Sequence, residues 1–456
     1  MANVPSISTD YAPTADTWDH VVRAVGHTHH LGAAAALMRA TRAHAHDAEL
    51  LWLTRAVRGG RQRETLLVHA VRRLRTSRVG EILAACPTPA SRAELLACGD
   101  RLDQTALHWA CCTYDEEDEE RALALVELLL GAGAGPLARA RYANTVVELQ
   151  PIHVAARWSA RLVQRLVQAG APIDGNVAGD STLHQAAGAR TAAGVRMIPA
   201  LVALGARETL GGLVMHDFAF YPVEGAPPPD GDVAAALTAL VSVGCSLTQP
   251  DAHGMTPLDY AAFKCNAPVV RALLVLGAAA TSKSLAHAVT HPSLVRLLLA
   301  AGAPVEALVL VKAGAEETTP LMEAAWEAVP ESLQLLLGAG ACVNARDEQG
   351  RTALMCSLFS ISADAAVVLG VVETLLAAGA DVNARNNLAD NTPLHHLAMR
   401  SHAQLWAAPA ARLLLASGAD GRVKNHAGKT PAQAVPAEAR NGELHRLLLA
   451  CAAEGT

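Results

Sequence analysis

DEQGRTALMCSLFSISADAAVVLGVVETLLAAGADVNA, Asp347–Ala384, is the stretch whose reading decides the fold. It closes a polar turn that runs from Val343 to Gly350. Thr352 can then cap the free N–H groups at a helix start. The apolar phrase RTALMCSL, Arg351–Leu358, follows as a first helix. VETLLAAGA, ending at Ala380, places its leucines as the buried stripe of a second, antiparallel helix. Gly379 suits a left-handed C-cap, where a side chain would clash.

Both phrases recur in fixed order. The leucine-rich run closed by Gly-Ala ends at Ala134, Ala171, Ala206, Ala278, Ala303, Ala341, Ala380 and Ala419. The helix-opening phrase appears as QTALHWACC from Gln104, QPIHVAA from Gln150, STLHQAA from Ser181 and MTPLDYAA from Met255. It returns as TTPLMEAA from Thr318, NTPLHHLA from Asn391 and KTPAQAV from Lys429. Proline at the first helical position loses no hydrogen bond, and the small Ala-Ala pair lets neighbouring helices approach closely.

A period of about 33 residues carrying a Thr-Pro-Leu-His-x-Ala phrase resembles the ankyrin-repeat family. The resemblance covers roughly Glu64 to the C-terminus. It implies an all-α fold: a solenoid of stacked antiparallel helix pairs with short hairpin or loop fingers along one edge. Residues 64–428 are expected to form the array and 429–456 a C-terminal capping repeat. Residues 1–63 are expected to form an N-terminal helical segment, either a degenerate repeat or a cap.

Several copies depart from the pattern. The array is irregular over 207–318. There the opening phrase has decayed to GGLVMHDFA at Gly211–Ala219, and a proline-rich insert, Glu224–Asp232, precedes the second helix. The finger from Pro304 to Thr318 is long and apolar, which predicts a departure from the usual hairpin. Earlier copies carry inserts at Pro87–Asp100 and at the acidic run Asp115–Glu120. That run reads as a solvated loop at a helix start or as a contact for a cation or basic peptide.

Composition narrows the function classes. The chain has 456 residues, 51% of them hydrophobic but only 3% aromatic, and a formal net charge of -6. Mild acidity gives no basic footprint for nucleic acid. No stretch reaches the roughly 20 apolar residues of a membrane span, and the N-terminus lacks a secretory pattern. Nine scattered cysteines without a Cys-x-x-Cys pair read as reduced thiols. The expectation is an intracellular protein of the cytoplasm or nucleus, monomeric alone.

Catalytic and cofactor motifs are missing from the sequence. There is no phosphate loop, no His-Glu-x-x-His, no Gly-x-Ser-x-Gly and no kinase signature. His27, His29, His30, His44 and His46 cluster without acidic or cysteine partners at ligand spacing, so no metal site is assigned. The histidines of the opening phrase, His108, His153, His184 and His395, read by the resemblance as ties between adjacent repeats.

In the ankyrin family the fingers and the residues just after the Ala-Ala pair face a concave groove. Along this second row the sequence places Arg72, Arg73, Arg157, Trp158, Phe263, Lys264, Trp326, Phe359 and Arg400. The four rings either anchor a partner, as Trp and Arg do at interfaces, or fill gaps between irregular helices. The resemblance also implies a modification: Leu375, Asp381, Val382 and Asn383 fit the context in which ankyrin arrays present an Asn to an asparaginyl hydroxylase.

The function implied is a non-catalytic scaffold or adaptor that binds a protein in the groove. An alternative is a targeting or substrate-receptor subunit of a ubiquitin ligase or other enzyme complex. Repeat sequence runs almost to Thr456, so such recruitment is expected from Met1–Arg63.

Overall fold

The computed structural model describes residues 65–86, 88–100, 102–112, 118–141, 148–175, 181–208, 213–220, 228–310, 317–360, 364–400, 406–440 and 442–453. The expected N-terminal segment 1–63, with its histidine cluster, lies outside them. The chain divides into two compact units, 1–218 with 223–245, and 219–222 with 246–456.

In the first unit the helices follow in pairs. They are α1 (Leu66–Arg72) with α2 (Thr76–Ala84), α4 (Ala106–Ala110) with α5 (Glu119–Gly131), and α6 (Pro151–Ala155) with α7 (Ala160–Gln168). Next come α8 (Thr182–Ala187) with α9 (Ala192–Ala203), and then α10 (Val214–Phe220) and α11 (Asp230–Ser242). First helices α1, α4, α6 and α8 pack in succession, and second helices α2, α5, α7, α9 and α11 form the layer behind them. The insert at Pro87–Asp100 folds into a helix of its own, α3 (Pro89–Ala97). Thr88 and Ser91 close a reciprocal capping box at its start. The decayed phrase at Gly211–Ala219 still yields a helix, because Val214, Met215, Phe218 and Ala219 keep a buried stripe. The last residues of the proline-rich insert, Asp230 and Asp232, form the acidic first turn of α11.

In the second unit α12 (Pro257–Phe263), α14 (Ser282–His287), α16 (Pro320–Trp326), α18 (Ala353–Ser357), α20 (Pro393–Arg400) and α22 (Pro431–Ala434) are the first helices. Their partners are α13 (Ala267–Val275), α15 (Pro292–Ala300), α17 (Pro330–Gly338), α19 (Ala365–Ala377), α21 (Ala407–Ala416) and α23 (Glu443–Ala453). Each kind stacks on its own kind in the next pair. Leu294, Val295 and Leu298, then Leu333 and Leu336, then Val371, Val372 and Leu375 are buried as successive second-helix stripes. The Ala-Ala pairs, Ala261–Ala262 and Ala324–Ala325, are fully buried where first helices meet.

The glycine that closes each second helix does what its position requires. Gly379 has φ 87°, Gly379 N–H donates to Leu376 O, and Ala380 N–H donates to Leu375 O, both at 3.0 Å. This is the Schellman arrangement, which satisfies the last carbonyls of α19.

The structure corrects the reading of one finger. Pro304–Thr318 contains a two-stranded antiparallel hairpin, β3 (Val309–Leu310) paired with β4 (Glu317–Thr318). Val309 faces Thr318 and Leu310 faces Glu317. β-branched and apolar residues at these positions suit a strand pair, so the apolar run that looked anomalous is what forms the ladder. A matching hairpin, β1 (Ala140–Arg141) with β2 (Glu148–Leu149), lies in the first unit.

Candidate functional site

In several pairs the third residue of the first helix ties its repeat to the next. The backbone N–H of Thr105 donates to His108 Nδ1 at 3.2 Å, and His108 Nε2–H donates to Leu149 O at 3.0 Å. Gln150 and Thr392 donate in the same way to His153 and His395. His153 then reaches Gly175 O at 2.6 Å and His395 reaches Lys429 O at 3.0 Å. One ring nitrogen caps its own helix and the other holds the next repeat, which fixes each ring as a neutral tautomer. Burial first, opposed by its carbonyl contacts, lowers the pKa of His108 to about 4. His108, His153 and His395 are structural ties, as the resemblance implied, whereas His184 meets Ser181 Oγ at its own helix start through Nδ1 at 2.9 Å.

Where histidine is absent the position is filled in other ways. Asp259 accepts from Thr256 N–H at 2.9 Å and, through its other oxygen, from Thr281 Oγ1–H at 2.6 Å in the next repeat. Ser284 and Gln433 cap their own helices against Thr281 and Thr430. Met322 and Met355 fill the position with apolar chains buried to 1% and 0% exposure.

A second set of determinants was not singled out from the sequence. Five residues before the helix-opening threonine stands an acceptor, Asp100, Asp251, Asp347 or Asn425. Asp251 Oδ1 accepts from His253 and Met255 N–H, and Asn425 Oδ1 accepts from Ala427 and Lys429 N–H. This shapes each finger as an Asx turn. The signal was present as a repeated Asp/Asn-x-x-Gly-x-Thr spacing. Its recognition was obscured where Asp103 (φ 62°) and Asp390 (φ 58°) replace the glycine. The aspartates also position rings: Asp100 Oδ2 accepts from Trp109 Nε1–H at 3.1 Å, and Asp251 Oδ2 from Tyr260 O–H at 2.6 Å.

The row after the Ala-Ala pair divides between the two units. In the first, Arg72 and Arg73 are exposed at the end of α1, with the Arg72 guanidinium 4.3 Å from the centre of the Trp109 ring. Arg157 and Trp158 are half-buried after α6. The Trp158 indole N–H donates to Cys111 O at 2.8 Å, which ties the ring to the preceding repeat.

In the second unit Phe263 is 47% exposed and rests edge-on against His287. Lys264 sets its ammonium 4.1 Å from the Phe220 ring centre and 5.1 Å from that of Phe263. Further along, Trp326 stacks on Phe359 with ring centres 6.0 Å apart, and Phe359 meets His396 edge-on at 5.0 Å. Trp326 and Phe359 are half-buried and Met399 is exposed. Arg400 ends α20, and its side chain lies outside the described residues. The structure thus gathers Phe263 with Lys264 in one ring cluster and Trp326 with Phe359 in another.

Asn383 is exposed, and its side chain is engaged. Its Nδ2–H donates to Gly418 O at 3.0 Å, and its Oδ1 accepts from Asp420 N–H at 2.9 Å. Asn344 makes the equivalent pair one repeat earlier, with Gly379 O and Asp381 N–H. The described part of the acidic run sits at the start of α5, where Arg161 pairs with Glu119 and Glu120. The cysteines are free thiols. Cys265 Sγ lies 2.9 Å from His291 Nδ1, but burial pushes this thiol up, so the contact is a thiol–imidazole hydrogen bond between repeats. Among the described residues no helix is long and apolar enough to cross a membrane.

Comparison with known proteins agrees with this architecture. A family model for a single ankyrin repeat matches residues 253–285, and one for three ankyrin repeats matches residues 283–386. Solved structures that match include the human ASB11 ankyrin repeat domain. It is 21% identical, covering 52% of this chain and 96% of that one, with a TM-score of 0.39. No curated protein sequence matches the chain. Residues 253–386 match ankyrin-repeat models, and the alternating phrases and the ties from His108, His153, Asp259 and His395 follow the same repeat plan along the described chain.

Proposed function

We propose that the chain is a non-catalytic scaffold that captures a protein partner along the first-helix row of its repeats. The observation that supports this reading is that Phe263 is exposed and Trp326 and Phe359 are only half-buried in a chain that is 3% aromatic. A ring needed only to fill the core would be covered; Phe263 leaves 47% of its surface to solvent. Aromatic anchors dominate interface energies. Arg72, Arg73 and Arg157 in the first unit, and Lys264 and Arg400 in the second, are the basic residues of the sequence at that row position.

The test is affinity capture from native lysate with the whole chain as bait, beside a Phe263→Ala/Trp326→Ala variant of unchanged melting temperature. A partner held by the wild type and lost by the variant supports the groove. Partners held equally by both remove the aromatic row from the interface. Recovery of ligase subunits by both would point to the targeting-subunit alternative, whose proposed recruiting segment is 1–63. Asn383 is likewise a proposed hydroxylation target. Mass spectrometry of its peptide after incubation with an asparaginyl hydroxylase tests it, and an unmodified peptide removes it.

A further inference from the structure

We infer that the turn between α1 and α2, which presents Arg73 and Arg75, receives an acidic segment of a protein partner: a stretch bearing aspartate or glutamate side chains. The inference rests on the scaffold reading above and names the chemistry of the part of the row that the first unit carries.

The local sequence sets the charge. Residues 65–80 hold four arginines, Arg72, Arg73, Arg75 and Arg78, and no acidic residue, in a chain whose net charge is -6. Arginine suits a carboxylate, because its planar fork can donate two parallel N–H bonds to one. The backbone fixes where these side chains start. Leu74, between Arg73 and Arg75, sits in the left-handed region at φ 50°. Leu74 N–H donates to Val71 O at 2.8 Å, and Arg75 N–H donates to Ala70 O at 3.1 Å. Beneath the turn Leu67, Val68, Ala70, Val71 and Val79 are fully buried. The two arginines therefore flank a closed turn on a packed base, and a partner does not have to order the backbone before it binds.

Arg73 and Arg75 are both exposed, and among the described residues neither pairs with a carboxylate. Other cations of the unit are engaged: Arg78 with Glu81, Arg121 with Asp118, and Arg161 with Glu119 and Glu120. Those four acids are thereby already answered. Next to the turn, Arg72 is held over the Trp109 ring, which Asp100 orients through the indole N–H. An acidic segment laid on the turn would meet two exposed guanidinium groups, whereas a basic one would be repelled by them. Protein fits the turn better than nucleic acid does. One turn with two exposed arginines falls short of the basic stripe that tracks a phosphate backbone, and the chain as a whole carries excess acid.

The experiment uses the whole chain and three fluorescein-labelled probes. These are a peptide alternating glutamate with glycine, a peptide alternating serine with glycine, and a single-stranded oligonucleotide of the same charge as the first. Fluorescence anisotropy is read at low and high salt. The glutamate peptide is expected to bind at low salt and to weaken as salt rises, and the serine peptide not to bind. Arg73→Gln/Arg75→Gln should weaken the glutamate peptide about fivefold and flatten the salt dependence. Arg139→Gln/Arg207→Gln, the same charge change at two other exposed positions of the unit, should leave binding within about twofold.

Should Arg73→Gln/Arg75→Gln lower the melting temperature, Arg73→Lys/Arg75→Lys keeps the charge without the fork and should still weaken binding. Equal binding of the glutamate peptide by the wild type and the Arg73/Arg75 variants overturns the inference, as does no binding at all or an equal loss in Arg139→Gln/Arg207→Gln. Tighter binding of the oligonucleotide than of the glutamate peptide, lost in Arg73→Gln/Arg75→Gln, overturns it in favour of nucleic acid. A partner captured through Phe263 and Trp326 alongside failure of the glutamate peptide sinks the acidic-segment site alone. Peptide binding that depends on Arg73 and Arg75, with capture indifferent to both rings, leaves that site and removes the aromatic row from the interface.

Discussion

His395 and Lys429 lie 34 residues apart and are joined by a 3.0 Å bond from the imidazole Nε2–H to the backbone carbonyl. The same ring accepts from Thr392 N–H through Nδ1, so one side chain closes a helix start and holds the following repeat. His395→Ala removes both bonds and leaves buried groups unsatisfied. We expect a loss of about 2 kcal/mol in denaturant unfolding. Hydrogen exchange should localise the loss to the amides of Thr392–Ala398 and Thr430–Ala434.

Acid should destabilise the array through its buried histidines. Burial lowers His108, His287 and His396 to about 4, while each ionises near 6.5 in the unfolded chain. Below pH 6.5 the unfolded state therefore binds more protons, and stability falls as pH drops until the folded rings titrate near 4. Each ring contributes at most about 1.4 kcal/mol per pH unit in that window. His396→Phe keeps an edge against Phe359 and removes two ring nitrogens that have no partner. Its melting temperature should vary less between pH 6.5 and 4.5 than that of the wild type.

Trp158 and Phe263 should separate under mutation although they occupy the same row position. Trp158 donates its indole N–H to Cys111 O, so Trp158→Ala is expected to cost about 2–3 kcal/mol. Trp158→Phe isolates the lost hydrogen bond at about 1 kcal/mol. Phe263→Ala, at a half-exposed ring, should cost less than about 1 kcal/mol. Equal losses at the two positions in chemical denaturation would contradict this division.

Gly379→Ala tests the helix-closing turn without steric interference. Its φ is 87°, and a methyl group there would meet no atom within 4 Å. The cost is conformational strain alone, about 1–2 kcal/mol, read as a lower unfolding midpoint with unchanged slope.

Asn383→Ala should weaken the coupling of two neighbouring repeats. It removes the bonds to Gly418 O and from Asp420 N–H, both at an exposed finger. The expected cost is about 1 kcal/mol, with faster amide exchange at Asp420. Asn344→Ala, at the equivalent position, should cost a similar amount.

The sequence by itself determined the repeat. Thr-Pro at helix starts, leucine stripes and closing glycines are local instructions, each satisfied within one helix pair, so they are readable one copy at a time. Phe263 and Trp326 could be placed in one row by their fixed offset from the Ala-Ala pairs, and Phe359 by the equivalent offset from Ser357 and Leu358. What the tertiary structure decided is how equivalent offsets diverge. Trp158 became a tie because a carbonyl of Cys111 lies within reach of its indole, while Phe263 stayed open beside Lys264. The Pro304–Thr318 finger became a hairpin because pairing across it, between Val309 and Thr318, satisfies a backbone that the sequence pattern left unassigned. Asp259 could take a histidine's part only because Thr281 of the next repeat meets its second oxygen. A side chain's role here follows from the partner the neighbouring repeat brings to it, and that partner is tens of residues away in the chain.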